Sequence, residues 1–319
     1  MSADFQIKRY APDQAVTWDK FIDQSANGGF ILKRTFMDYH QDRFEDFSYL
    51  LWENTKLIAV FAAAMPRLRS DGQVLIAHPG LTYGGLITGK NVKYPVLEEL
   101  YESLFLFFKQ CDFHSLLLKP TPNVFCEQVS EASLFFFYKN KVELVNRELN
   151  SVIDFGRPLK ISNRQKRNIA KAYKNNIHVE SSKDFDAFWQ ILTNNLQQVH
   201  GVLPAHTLEE IEFLASKNPE NIALYLASKE NSVVGGVVLF KDSRKGYVHS
   251  QYIASNAEGK RVGAVDAILF HIIETTKATF QRFSFGISTV KGEINYGLLA
   301  HKEGFGARAE LVDTYRKIL

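Results

Sequence analysis

Between Arg157 and Lys174 the chain carries seven basic side chains and no acid. On a helix, Lys160, Arg164, Arg167, Lys171 and Lys174 recur at spacings of four, three, four and three, making one cationic stripe with Ile161, Ile169 and Tyr173 on the other side. A stripe of this kind suits phosphate, because a guanidinium fork binds two oxygens at once and an ammonium adds a mobile charge. Arg164, Arg167 and Lys171 are therefore candidate phosphate ligands, against the plainer reading of a solvated helix face. His249, Gln251 and Tyr252 form a second group, on a strand whose alternation puts His249 and Gln251 on one face. A histidine there can take a proton from an attacking amine, since imidazole titrates near neutrality; a hydrogen-bonded sheet histidine would look the same. His78 and Tyr83, after the matching strand of the first half, carry the same two readings. His200-Gly201-Val202-Leu203-Pro204-Ala205-His206 lies in a sharp loop between two helices. Two histidines without a third ligand at zinc spacing do not make a metal site. The loop reads as substrate lining at His200 and His206, or as capping and packing.

The elements that must position these residues repeat. The first half opens with a strand at Phe5–Arg9 and helices over 13–24 and 35–43. A hairpin follows, 47–53 with Leu57–Met65, turning at Asn54-Thr55-Lys56. Strand Gln73–Ala77 runs into the glycine-rich stretch from His78 to Gly85, followed by a helix over 93–110, a strand at His114–Leu118 and a helical stretch over 123–138. The second half has helices over 184–199 and 207–216, a hairpin Ile222–Ala227 with Val233–Phe240, and strand Tyr247–Ala254 running into a glycine-containing loop. A helix over 263–279, strand Arg282–Phe285, a helix over 294–303 and a last strand Ala309–Tyr315 complete it. The same order at an offset of about 170 residues reads as a tandem duplication. Domains over 1–153 and 154–319 follow.

Bulk properties agree with two globular domains. The chain has 319 residues, comfortable for two units of about 150 that each bury a core. At 45% hydrophobic and 23% charged it is not a disordered chain. Among 25 Phe and 13 Tyr, the clusters Phe105, Phe107, Phe108 and Phe135, Phe136, Phe137 are expected to fill a core. Two cysteines, Cys111 and Cys126, support neither a disulfide framework nor a cysteine metal site. The N-terminus lacks a secretory pattern, and no apolar run approaches the length of about 18 that a membrane helix needs. A cytoplasmic protein without a membrane span is expected. Residues 1–153 hold 16 basic and 18 acidic side chains, whereas 154–319 hold 22 and 17, so an anionic partner is expected on the second half.

The order hairpin, strand, glycine-bearing loop, helix, strand, helix, strand resembles the GNAT acyltransferase fold. Its doubling resembles the FemABX-like aminoacyl and acyl transferases. The implied fold class is α/β, two tandem GNAT-like domains with mixed, mostly antiparallel sheets flanked by helices. Two stretches carry the resemblance locally. The run from Lys160 to Ile177 looks like the basic helix that opens the second domain of FemABX-type proteins. Leu299-Ala300-His301-Lys302-Glu303-Gly304-Phe305-Gly306 looks like that family's Lys-x-Gly-Phe-Gly signature. By this resemblance Lys302 lies in a substrate channel and holds an anionic group or a developing oxyanion, as a surface-reaching lysine that adds little to folding. Otherwise it decorates a helix end and helps the dipole. Two features depart from the pattern. The pyrophosphate motif expected at the loop-to-helix junction is matched only at Lys260 and Gly263, since Val265 stands where Gly or Ala should. The Arg-Gly-Pro-acid segment of the first domain is replaced by His78-Pro79-Gly80-Leu81-Thr82-Tyr83.

The resemblance implies transfer of an acyl or aminoacyl group to an amine on a cell-envelope or glycan precursor, without a metal. Acyl-CoA or aminoacyl-tRNA would be the donor, and an anionic small molecule or glycan precursor, together with charged tRNA, the partners. Lys302, His249 and Tyr83 are the expected catalytic residues. Arg164, Arg167, Lys171, His78, His200, His206, Gln251, Lys260 and Gly263 are the expected substrate or phosphate contacts. A catalytically silent doubled scaffold binding a phosphorylated glycan or peptide is the alternative. RNA binding through the stripe alone is weaker, for want of interleaved aromatics.

Overall fold

A computed structural model describes residues 5–40, 43–66, 74–290 and 292–319. The chain forms two compact units, residues 1–148 with 311–319, and residues 149–310. Along the first unit run β1 (Phe5–Arg9), α1 (Ala15–Gln24), α2 (Arg34–Met37), β2 (Phe44–Asp46), β3 (Tyr49–Glu53), β4 (Lys56–Ala62), β5 (Ala64–Pro66), β6 (Val74–Ile76), β7 (Gly85–Thr88), α3 (Tyr94–Gln110), β8 (Ser115–Leu118) and α4 (Ala132–Lys139). Next comes β9 (Glu143–Asp154), which starts in the first unit and ends in the second. The second unit continues with α5 (Asn163–Lys174), β10 (His178–Ser182), α6 (Phe185–His200), α7 (Leu208–Lys217), β11 (Ile222–Lys229), β12 (Ser232–Asp242), β13 (Tyr247–Ser255), α8 (Ala257–Val262), α9 (Ala264–Thr276) and β14 (Arg282–Ile287). A short hairpin, β15 (Thr289–Val290) and β16 (Glu293–Ile294), precedes α10 (Tyr296–Gly304), and β17 (Arg308–Ile318) returns to the first unit.

In the first unit β1, β3, β4 and β7 make an antiparallel four-stranded sheet, and β17, β8, β6, β5 and β2 lie in order in another. Only β6 and β8 run parallel there, joined through α3. The core is aromatic, with Tyr49, Phe61, Tyr101, Phe108, Phe136 and Phe137 buried together. Phe135 departs from the expected filling and is 57% exposed, because three consecutive helical residues cannot all face one core. α4 is also shorter than the stretch expected over 123–138. The N–H groups of Glu127 and Gln128 both go to the carbonyl of Ala26, which takes them out of any helical ladder.

The second unit repeats the arrangement, with strands in the order β10-β11-β12-β13-β14-β9, antiparallel except for β13 with β14. Val237 joins the apolar cluster built on α9, while a Cβ on its neighbour Gly236 would meet the Phe188 ring of α6. Successive residues of β12 thus face helices on opposite sides, as strand alternation requires. Three local expectations change. The basic helix begins at Asn163, because the Ser162 hydroxyl caps it by accepting the Gln165 N–H at 3.3 Å; Lys160 precedes the helix. Tyr173 lies at the surface, 45% exposed, and the buried face of α5 is Gln165, Ile169 and Ala172. The loop expected after β13 is the short helix α8, capped by Asn256 accepting from Gly259 N–H.

α8 lies so close to β12 that a Cβ on Gly259 would stand 2.2 Å from the Val234 carbonyl oxygen. Gly259→Ala should therefore cost roughly 1–3 kcal/mol or more of unfolding free energy in urea, the usual scale of forced overpacking. Gly297→Ala, in the open first turn of α10, should be neutral or stabilising by up to about 1 kcal/mol. Equal effects from the two would show that α8 shifts freely.

Candidate active site

The parallel ladder of β13 and β14 is short. Tyr247 faces Arg282, Val248 faces Phe283 and His249 faces Ser284, where the ladder of this pair ends although both strands continue. Each strand is also irregular on its other side. On β13, Tyr252 faces Val238 and Ser250 faces Leu239, so Gln251 is the extra residue of a bulge. On β14, Ser284 faces Val152 while Ile287 faces Asn150, three steps against two, and Gly286 within this bulge has φ +77°. A bulge of this kind bends a strand and re-aims its groups. Here two of them flank the point where β13 and β14 part.

Lys302 of α10 is tied to this fork. Its ammonium donates to the carbonyl oxygens of Gly286 at 2.9 Å and Ile287 at 2.6 Å. The residue is only 3% exposed, and burial pushes its pKa down to about 8, so the charge persists at neutral pH. The expectation of a surface-reaching lysine is corrected: Lys302 is buried and donates to two carbonyls of the β14 bulge. The rest of its motif is equally structural. A Cβ on Gly304 would meet the Gln165 side chain at 2.8 Å, Phe305 is fully buried, and Gly306 turns at φ +93° against residues 159 and 160.

His249 stands at the same fork, its ring partly buried. Its Nδ1 lies 3.0 Å from Ser284 Oγ; that hydroxyl donates to Asn150 Oδ1 at 3.1 Å and accepts the Gly286 N–H at 3.2 Å. The ring packs over Gly286, where a Cβ would sit 3.4 Å from His249 Cε1. Burial, helped by the Lys302 charge and opposed by hydrogen bonds to Ser284 and Gln251, lowers its pKa to about 4. The imidazole is thus neutral at physiological pH. Gln251 lies beside it, as alternation implied, and also reaches Tyr252.

His206 has a different surrounding from the lining expected. It is buried, its Nδ1 lies 2.5 Å from the Tyr252 hydroxyl, and its carbonyl accepts the Trp189 indole N–H at 3.3 Å. Burial raises the Tyr252 phenol to about 12, so it stays protonated while pinning the α6–α7 loop to β13. The side chain of His200 lies outside the described residues. His78 and Tyr83 belong to the first unit. Both are buried, with Tyr83 stacked on Phe125 at 5.1 Å and 1% exposed, so its hydroxyl offers no surface to a substrate.

Arg164, Arg167 and Lys171 are exposed along α5, and no carboxylate stands within ion-pair distance of them among the described residues. The pyrophosphate-like stretch is less open. Glu258 takes up Lys229 and Arg261, which together lower its pKa to about 2, while Lys260 is exposed. At Gly263 a Cβ would lie 3.0 Å from the Asn168 carbonyl oxygen, so α5 closes on the start of α9. Asp266, in the first turn of α9, accepts from Gln165 Nε2 and faces His301 Nε2, each at 3.0 Å. Among the described residues no three His, Cys, Asp or Glu side chains are grouped to hold a metal. Asn150, Ser284, Gln165 and Asp266 escape sequence reasoning. The nearest signal is a serine between phenylalanines at Phe283-Ser284-Phe285, a polar group placed inside an apolar strand.

Lys302→Met removes the shared donor of the Gly286 and Ile287 carbonyls, and should lower the unfolding free energy by roughly 1–3 kcal/mol in urea. A loss below about 0.5 kcal/mol would show that water replaces the ammonium. His249 gives a pH signature. Its folded pKa is depressed from 6.5 to about 4, so the unfolded chain binds a proton that the folded chain refuses between those values. Its contribution to stability is whole above 6.5 and is lost as pH falls to about 4. Wild-type unfolding free energy should decline across that window more steeply than that of His249→Gln; equal slopes would show an imidazole that protonates freely in the folded state.

No family model matches the chain, and no curated protein does. Solved structures do. FemX superposes with a TM-score of 0.69 at 11% identity, over 98% of this chain and 97% of that one. L-PGS from Bacillus licheniformis gives 0.59 at 10% identity, over 98% and 92%. A tandem GNAT protein from the clavulanic acid biosynthesis pathway gives 0.57 at 8% identity, over 99% and 98%. Identities this low speak to the fold, and across nearly its whole length the chain has a FemX-like tandem GNAT fold.

Proposed function

We propose that the protein transfers an activated acyl or aminoacyl group to a free amine on a cell-envelope or glycan precursor, using the fork of the second unit. The observation that carries this reading is the neutral imidazole of His249 beside the buried ammonium of Lys302, where the parallel ladder ends. The amine attacks the activated carbonyl and forms a tetrahedral adduct with an oxyanion and a positively charged nitrogen. That nitrogen is far more acidic than the starting amine. A base held near 4 is too weak to strip a resting ammonium, yet it is always unprotonated and suits this later proton. His249 accepts the proton and returns it to the departing oxygen or sulfur, leaving an amide and a free carrier. The Lys302 charge favours the oxyanion and disfavours a second cation, so that the acceptor amine enters neutral. Holding amine and carbonyl together supplies much of the remaining rate.

We take the donor to be an aminoacyl-tRNA rather than an acyl-CoA. Support comes from α5 closing on the start of α9, from Asp266 in its first turn, and from Glu258 occupying Lys229 and Arg261. An anionic pyrophosphate gains little there, since an acid at a helix start opposes it. The open cations Arg164, Arg167 and Lys171 offer a nucleic-acid backbone the contacts that the junction does not.

Labelled charged tRNAs and labelled acyl-CoAs, each with amine-bearing glycan and peptide precursors, test both parts. Transfer is expected from tRNA, falling roughly 10²–10⁴-fold in His249→Ala. Replacing Arg164, Arg167 and Lys171 together by Gln should raise KM for the tRNA and flatten its salt dependence. Transfer from acyl-CoA alone would reverse the donor assignment, and no transfer from either would leave a doubled fold that only binds.

A further inference from the structure

We infer that Ser284 and Asn150 are positioning residues that hold His249 as its Nδ1–H tautomer, leaving Nε2 as the basic nitrogen at the fork. Ser284 Oγ has one proton and two lone pairs. Its proton goes to Asn150 Oδ1, and one lone pair accepts the Gly286 N–H. The remaining contact, 3.0 Å to His249 Nδ1, can be made only with Nδ1 as the donor. A neutral imidazole that donates from Nδ1 must carry its lone pair on Nε2.

The arrangement is built rather than incidental. Ser284 is fully buried and Asn150 is 2% exposed, so the hydroxyl and the Asn150 Oδ1 that takes its proton are both shielded from bulk water. Both sit in the sheet ladder, where Asn150 faces Ile287 and Ser284 faces both His249 and Val152. The β14 bulge brings the Gly286 N–H back onto Ser284 Oγ and leaves room for the imidazole over Gly286. One irregularity thus orients the ring, fills the hydroxyl and, through the Gly286 and Ile287 carbonyls, places the Lys302 ammonium nearby. A ring fixed by a second residue, itself fixed by a third, is the usual means of holding an acid–base histidine in one tautomer.

The inference rests on His249 as the base of the proposed transfer, but its test does not require activity. The full-length protein, labelled with ¹⁵N-histidine, is measured by NMR at pH 7, and the His249 ring nitrogens are assigned by comparison with His249→Gln. Wild type should show a protonated Nδ1 and a pyridine-type Nε2. Ser284→Ala should move both nitrogens toward a mixture of tautomers, while Ser284→Thr, which keeps the hydroxyl, should restore the wild-type pattern. In the transfer assay Ser284→Ala should lose on the order of 10²-fold in kcat with little change in KM, the scale of a misplaced reacting group. A wild-type imidazole protonated at Nε2 overturns the inference, as does an unchanged tautomer in a folded Ser284→Ala. An inactive protein with the expected tautomer would instead sink the transfer reading alone.

Discussion

Two backbone carbonyls in the bulge of β14, those of Gly286 and Ile287, accept from the buried ammonium of Lys302. A buried ammonium without acceptors would cost on the order of several kcal/mol. The ladder between β13 and β14 ends at His249 and Ser284, beside this bulge. The partly buried imidazole of His249, the serine behind it and the asparagine behind that all lie where it ends.

The electrostatics of the fork follow from the same contact. A cation that cannot leave lies beside a histidine, and burial and that cation together keep the ring neutral. The fork therefore holds a fixed positive charge beside an available lone pair.

α5 has a cationic outer face and closes on the start of α9 with its inner one. Gln165 faces inward from the most basic stretch of the chain and, through Asp266, joins α5 to α9 and to His301 of α10. That polar tie draws α5 over the start of α9. The same helix presents its arginines and lysines outward.

The repeat, the strand-helix-strand order and the helical spacing of Arg164, Arg167 and Lys171 were legible in the residues, because period and turn chemistry are local properties. So was the pairing of His249 with Gln251, which depends only on alternation. The long strand β9 was not legible, since its charged residues Glu143, Arg147 and Glu148 hide the pattern; Arg147 is explained only by its paired contacts with Asp313, far along the chain. Lys302 was singled out by its glycine-rich surroundings, yet those glycines serve close packing against residues 159 to 165, and the lysine itself is buried. Its two carbonyl partners exist only because a bulge forms. The tautomer of His249 depends on a serine 35 residues away and an asparagine 134 residues from that serine. Composition and spacing thus marked most of the helices and strands and the charged face of α5. Tertiary structure decided which polar groups lose water together, and burial and hydrogen bonding between distant strands are what set a protonation state.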